Sequence, residues 1–379
     1  MDINTARENI DKIDEKLVKL IVERMKFAKD IAKYKQENNL PIYNKSRERD
    51  IMQRVLDNSS EELQGYMSVI YSSLFDVSRA YQSRILTPPN HLKEEIEHAV
   101  CNTAKVFPTR AIVACQGIEG SYSQSACDKL FSTPNIMYFN HFSGVFKAVE
   151  NGLCQYGILP IENSTAGSVN EVYDLMKKNK FFITRSIKMK IDHNLITKKG
   201  VAITDIKEVI SHEQAINQCS EFLKSLDVKI TVCENTAVAA KMLAQSDRLD
   251  AAAISSRDCA DIFGLAVLSD DIMNSDNNYT RFICISKNLE IYPGADKMSL
   301  MLALPHRPGS LGGILSRISS LGLNIAKLES RPIAGKNFEF MFYFDIDANV
   351  LQSGVVQLIC ELCNELEHFT YLGSYSEVF

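Results

Sequence analysis

The stretch ERMKFAKDIAKYK, residues 23–35, decides how the N-terminal part of the chain folds. Its apolar positions continue a line that runs through Ile10, Ile13, Leu17, Leu20, Ile21, Ala28 and Ile31. Steps of three and four residues alternate along that line, the spacing of one buried face of an α-helix. The same line passes through Arg24 and ends on Lys35. At about 100° per residue these two cations point within roughly 20° of one another, about 16 Å apart along the axis. Buried charges need partners, because an unpaired one is very costly.

Working outward, the helix is expected to be capped at Asn4 or Thr5 and to stop at Asn38-Asn39-Leu40-Pro41. A short second helix is expected from Ser46. Ser59-Ser60-Glu61-Glu62 opens a third, with Leu63, Met67, Ile70, Leu74, Val77 and Tyr81 on one face. One very long helix cannot bury its seam against two short ones, so a homodimer or higher homo-oligomer is expected. Thr87-Pro88-Pro89-Asn90 closes this all-helical module, residues 1–88, and a charged helical linker follows over 89–108. From Ala111 short apolar runs alternate with helical stretches, predicting an α/β domain with mostly parallel strands over 109–288. Its length suits two lobes with a cleft. After Pro293-Gly294, residues 297–379 read strand, helix, strand, strand, helix, strand, the ferredoxin-like plan. The fold class is therefore multidomain, α followed by α/β.

A net charge of −5 leaves no basic footprint, so no nucleic-acid partner is expected. No run of 18 apolar residues exists, so no membrane span is expected. The N-terminus has no signal-peptide pattern, and the ten cysteines lie mostly inside apolar runs, as at Cys115 and Cys284. Both features predict a cytoplasmic protein with reduced thiols. Cys360-x-x-Cys363 reads as core packing, and the seven histidines form no ligand pattern. No metal or cofactor is expected.

The helical module supplies further polar groups. Arg47 and Glu48 open the second helix, and Ser78 and Gln82 stand four residues apart on the third. Internal pairing, for example Arg24 with Glu48, is the plain reading of each feature alone. Together they favour a cation-lined pocket for a small polyanion. Arg7 lies 17 residues before Arg24, about 26 Å along the axis and roughly 100° around it. Either it has no shared role, or an antiparallel partner chain brings a second Arg7 back to the site. This set, Arg7, Arg24, Lys35, Arg47-Glu48-Arg49 and Ser78-x-x-x-Gln82, resembles the all-helical chorismate mutases, which are interlocked dimers. The resemblance implies that the partner subunit's Arg7, with Arg24 and Arg47, grips the substrate carboxylates. It implies that Lys35 and Gln82 donate to the ether oxygen, that Glu48 meets the ring hydroxyl, and that Asn44 and Ser78 line the site. Asn44 stands where that family usually has Asp.

In the α/β region, Gly117-Ile-Glu-Gly-Ser-Tyr-Ser123 follows a strand and precedes a helix, but lacks GxGxxG and a Walker lysine. It reads as a turn offering hydroxyls and backbone N–H groups to a carboxylate. Pro160-Ile-Glu-Asn-Ser-Thr-Ala-Gly-Ser168 sits at the C-terminal end of a strand, where α/β domains place ligands. With Ile191-Asp192-His193, Ser211-His212-Glu213-Gln214, Gln218-Cys219 and Thr280-Arg281-Phe282, these segments resemble prephenate dehydratases. The resemblance implies a cleft in which Ser121, Asn163, Ser164, Ser211, Gln218, Thr280 and Arg281 bind prephenate, with Thr280 central. A threonine hydroxyl is too weak an acid to protonate a leaving hydroxide alone. Thr280 is expected to donate a hydrogen bond, with the proton relayed from Glu162 or water.

Arg307-Pro-Gly-Ser-Leu311 and Leu328-Glu-Ser-Arg-Pro332 resemble the ACT regulatory domain. That implies a phenylalanine site drawing on Gly309, Ser310, Leu311, Asn324, Glu329 and Ser330. The order mutase, dehydratase, ACT resembles the bifunctional enzymes of phenylalanine biosynthesis, which use no cofactor. Two alternatives are a dehydratase whose helical module serves only dimerisation, and a two-lobed small-molecule binder with an amino-acid sensor.

Overall fold

The computed structural model describes residues 2–86, 91–304, 309–333 and 340–379, and for Arg84 the backbone alone. Thr87-Pro88-Pro89-Asn90, Arg307 and Pro308 lie outside the described residues. The chain divides into two compact units, one of Met1–Glu95, Met301–Phe344 and Leu351–Thr370, the other of Ile96–Leu300, Asp345–Val350 and Tyr371–Phe379.

In the first unit, α1 spans Ile3–Glu37, α2 Lys45–Asp57 and α3 Gln64–Leu86. The cap of α1 is Asp2, whose carboxylate accepts from Asn4 N at 3.3 Å, rather than Asn4 or Thr5. Asn44 caps α2, accepting from Arg47 N at 3.0 Å, two residues ahead of the expected Ser46. Asn and Ser cap comparably, and the first to meet the free N–H groups sets the start. Both α1 and α2 pack on α3. Of α1, only Ala28 and Ala32 are buried within the single chain, while Ile10, Ile13 and Leu17 stay half or more exposed.

In the second unit, α4 (His91–Asn102) buries Ile96 and Ala99. One lobe follows, with β1 Ile112–Gln116, α5 Tyr122–Leu130, β2 Asn135–Phe139, α6 Phe142–Glu150, β3 Tyr156–Asn163, β4 Gly167–Ser168, α7 Asn170–Met176 and β5 Phe182–Lys190. The chain then crosses to a second lobe. This has β6 Asn194–Thr197, β7 Glu208–Ser211, α8 Glu213–Gln218, α9 Ser220–Lys224, β8 Lys229–Val232, α10 Thr236–Gln245, β9 Ala251–Ser255, α11 Arg257–Phe263 and β10 Ala266–Ser269. It returns as β11, Tyr279–Ser286. The second lobe's sheet has the order β10-β6-β9-β7-β8.

The expected mostly parallel sheets are in fact mixed. β1 pairs parallel with β2 and β3, and β7 with β8 and β9, but β11 runs antiparallel to both β3 and β5, and β6 to β9 and β10. The antiparallel strands are those that flank the two crossings between lobes. The reversed strands β6 and β11 are the first after each crossing, whereas the βαβ steps within a lobe keep direction.

The C-terminal segment has β12 Lys297–Ala303, α12 Ser310–Ser320, β13 Asn324–Pro332, β14 Phe340–Asp347, α13 Val355–Glu365 and β15 Phe369–Val378. Its strand order is β13-β14-β12-β15, which puts Pro332 on the edge strand β13. The last residues of β15 pair parallel with β5. There Gly373 has φ +126, and a Cβ would lie 2.5 Å from Ile183 O, so only glycine fits.

Arg281 of β11 is 5% exposed and Asp345 1%. The guanidinium pairs with Asp345, meets Glu162 Oε1 at 2.9 Å and lies 4.0 Å from Glu377. Ser299 donates to Asp345 at 2.5 Å. Removing one member of a buried pair strands the other charge. Asp345→Asn should cost about 3–5 kcal/mol in urea unfolding, while KM for the ligand of the cleft stays within twofold.

Candidate functional site

The cleft of the second unit holds a cavity of about 520 Å³ lined by Thr165, Ala166, His212, Gln218, Asn274 and Asn278 among others. Register builds its polar wall. Thr280 of β11 stands opposite Asn163, the last residue of β3. Asn163 Nδ2 donates to Thr280 Oγ1 at 2.9 Å and to Asn278 Oδ1 at 2.7 Å. Asn163 Oδ1 accepts from Thr165 Oγ1 at 2.7 Å, Thr165 N at 3.1 Å and Ala166 N at 2.9 Å, which turns the chain away from the strand end. Gln218, at the end of α8, donates to Thr165 Oγ1 at 2.6 Å, joining the two lobes. Since Thr280 Oγ1 accepts from Asn163, its own proton is left without an acceptor among the described residues.

Behind this wall, His193 Nε2 faces Gln218 Oε1 at 3.0 Å, and Asn278 Nδ2 donates to the same oxygen at 3.3 Å. Burial lowers the His193 pKa, so the ring is neutral with its proton on Nε2. Its Nδ1 lies 3.2 Å from Tyr122 Oη, which donates to Asp192 O at 2.8 Å. Burial pushes the Tyr122 phenol well above its ordinary value, so it stays protonated. The imidazole thus fixes which end of the Gln218 amide faces Thr165.

Several expected residues are not in this cluster. On β3 and β11, Glu162 and Arg281 form the next registered pair after Asn163 and Thr280, so they face the opposite side of the sheet. Glu162 and Arg281 form an ion pair there, outside the cluster around Thr280. Ser211 is fully buried and donates to Ile254 O at 2.7 Å, tying β7 to β9. Ser121 caps α5, its hydroxyl accepting from Gln124 N and donating to Gln116 O, both at 3.4 Å. Ser164 donates to Asn277 O at 2.7 Å and accepts from Tyr279 N at 2.9 Å, bracing the strand ends. Sequence reading gave no role to Thr165, His193 or Asn278, although the first two lie in quoted motifs and Asn278 stands two residues before Thr280.

In the helical module, Lys35 Nζ donates to Gln82 Oε1 at 3.2 Å and to Ile42 O. Gln82 Nε2 donates to Ser78 Oγ at 3.4 Å, and both residues are buried. Burial lowers the Lys35 pKa, and the nearby Glu48 carboxylate works against that shift. Arg24 Nη1 is buried with no hydrogen-bond partner among the described residues. The plain pairing of Arg24 with Glu48 does not form, because Glu48 is held by Arg79. Arg7, Asn44 and Arg47 are exposed. In the C-terminal segment, Gly309 takes φ +84 ahead of α12, with Ser310 and Leu311 beginning that helix. Asn324 opens β13, and Glu329 and Ser330 are neighbours on it, so they face opposite sides.

Comparison with known proteins agrees with this division. Residues 6–83 match the family model described as chorismate mutase type II, and residues 113–290 the one described as prephenate dehydratase. A bifunctional chorismate mutase/prephenate dehydratase of Buchnera aphidicola is 33% identical, covering 97% of this chain and 95% of the relative. The Escherichia coli K12 protein of the same description is 30% identical with the same coverage. The solved structure of an Arthrobacter aurescens prephenate dehydratase in complex with L-Phe is 28% identical with TM-score 0.65, covering 70% of this chain and 89% of that one. The chain belongs to the bifunctional chorismate mutase/prephenate dehydratase family.

Proposed function

We propose that the helical module rearranges chorismate to prephenate and that the cleft converts prephenate to phenylpyruvate, carbon dioxide and water. One observation carries the first half. α1 carries two half-buried cations with no ion pair among the described residues, since Glu48 is taken by Arg79, Lys35 meets Gln82 and Ile42 O, and Arg24 Nη1 stands without a partner. A dianionic guest meets that need. The Claisen rearrangement requires only a folded substrate and donors at the ether oxygen, where charge develops. Lys35 and Gln82 are those donors, Arg24 and Arg47 take the carboxylates, and Ser78 orients Gln82. Asn44 keeps the cap that an Asp would provide, so this departure leaves α2 and Glu48 in place. The partner subunit's Arg7 completes the site in a dimer closed over the exposed Ile10, Ile13 and Leu17 seam of α1.

In the cleft, the C–CO₂ bond breaks, its electrons enter the ring, and the ring hydroxyl leaves with a proton to become water. Thr280 donates its unclaimed proton as a hydrogen bond to that hydroxyl, and Asn163 and Gln218 hold the threonine and substrate in line. With Glu162 turned to Arg281, cleft water supplies the proton. The C-terminal segment acts as an ACT domain binding phenylalanine near Gly309, Ser310, Leu311, Asn324 and one of Glu329 or Ser330. Phenylalanine bound there inhibits the enzyme by favouring a closed, less active state.

Coupled assays on chorismate and prephenate test each half against the other. Lys35→Met should lower mutase kcat by about 10²–10³ and leave prephenate turnover unchanged. Thr280→Ala should lower dehydratase kcat by about 10²–10³ with mutase rate intact, and Thr280→Ser should keep most activity. Ile13→Asp should shift the sedimentation profile toward monomer and reduce mutase activity as the partner's arginine is lost.

A further inference from the structure

Arg79 stands on α3 between Ser78 and Gln82, and no motif marks it. Its guanidinium bridges two carboxylates, Glu48 of α2 through Nη1 and Asp76 one turn back through Nη2, and it lies 5.4 Å from the centre of the Tyr43 ring. Only the Oε1 oxygen of Glu48 is engaged, so Oε2 has no hydrogen-bond partner among the described residues. We propose that Arg79 is the positioning residue of the mutase site, holding Glu48 by one oxygen, away from Lys35, with the other oxygen free for the substrate hydroxyl. This rests on the reading that Glu48 meets the ring hydroxyl.

The alternative arrangement is close at hand. Glu48 already acts electrostatically on Lys35. Without Arg79 the carboxylate would swing onto that ammonium, and a lysine paired with an acid is a poorer donor to the ether oxygen. Arginine suits the task because its planar fork serves two carboxylates at once, while Asp76 fixes the fork. Tyr43 covers one face of the guanidinium and limits its swing. From the C-terminal segment of the same unit, Arg317 and Glu365 also act on Asp76, and Glu365 on Arg79. Of the acids acting on Arg79, Glu48 contributes most.

Arg79→Gln, Arg79→Lys and Glu48→Gln, made in the full chain and assayed on both substrates, test the inference. R79Q should lose roughly 10- to 100-fold in mutase kcat, with little change in KM and prephenate turnover within twofold of wild type. The alkaline limb of its mutase pH profile, set by Lys35, should move to higher pH, because a closer carboxylate favours the charged amine. R79K should recover part of the rate, and adding Asp76→Asn to R79Q should cost nothing further. R79Q with mutase rate and alkaline limb unchanged, beside an impaired E48Q, overturns the positioning role alone. E48Q with full activity overturns the reading beneath it. Equal loss of both activities in R79Q and R79K reduces Arg79 to a structural part and also overturns the inference.

Discussion

The register of β3 against β11 is the constraint on which the second unit depends. Thr280 faces Asn163, and one step along Arg281 faces Glu162. Alternation along a strand sends the first pair to the cleft and the second into the sheet's opposite side. One dipeptide thus serves two ends, a hydroxyl in the cleft cluster and a guanidinium that anchors Asp345 and lies near Glu377. A slip of one residue would exchange the two faces and put a buried arginine in the cleft. The bulge between Arg281 and Phe282 sits just past this point and confines the exact alignment to the strand ends.

The helical module solves a different problem with the same economy. Its long helix carries cations on the face that in a lone chain is half bare, and the acids available are few. Asp76 and Glu48 are committed to Arg79. Gln82, a neutral acceptor and donor, touches Lys35 in place of a carboxylate. A neutral neighbour satisfies one N–H of the ammonium and leaves its charge for a guest.

Much of this was legible in sequence and some was not, for identifiable reasons. The three- and four-residue steps of Ile10 to Ile31 gave a helix over Ile3–Glu37, because periodicity over so long a span has no rival reading. Asn163, Gln218 and Thr280 lie together because motif residues at strand and helix ends converge on one cleft. Glu162, Arg281, Ser121 and Ser211 stand outside that cluster, since a motif records which residues are near, not which face each one takes. A single step along a strand reverses that face, and Ser211 and Ser121 spend their hydroxyls on Ile254 O and on the first turn of α5. The strand directions were missed because apolar runs carry no sense of direction. The cap of α2 moved to Asn44 because capping residues cluster there, and composition does not rank Asn44 above Ser46.

The two sites differ in charge, and the reactions explain why. Chorismate keeps both carboxylates through its rearrangement, so cations bound to them stabilise ground and transition states alike and serve to fold the molecule. Prephenate must lose its ring carboxylate. A guanidinium held against that group would stabilise it most while it is still charged, and would raise the barrier to its departure. The cluster around Thr280 accordingly consists of amides, hydroxyls and a neutral imidazole, with Asn163, Asn278, Gln218 and Thr165 as its members. Arg281, one residue from Thr280, is turned to the far side and neutralised by Asp345 and Glu162. A neutral wall with the adjacent Arg281 sequestered suits a step in which negative charge must leave the carboxylate and reach the departing oxygen.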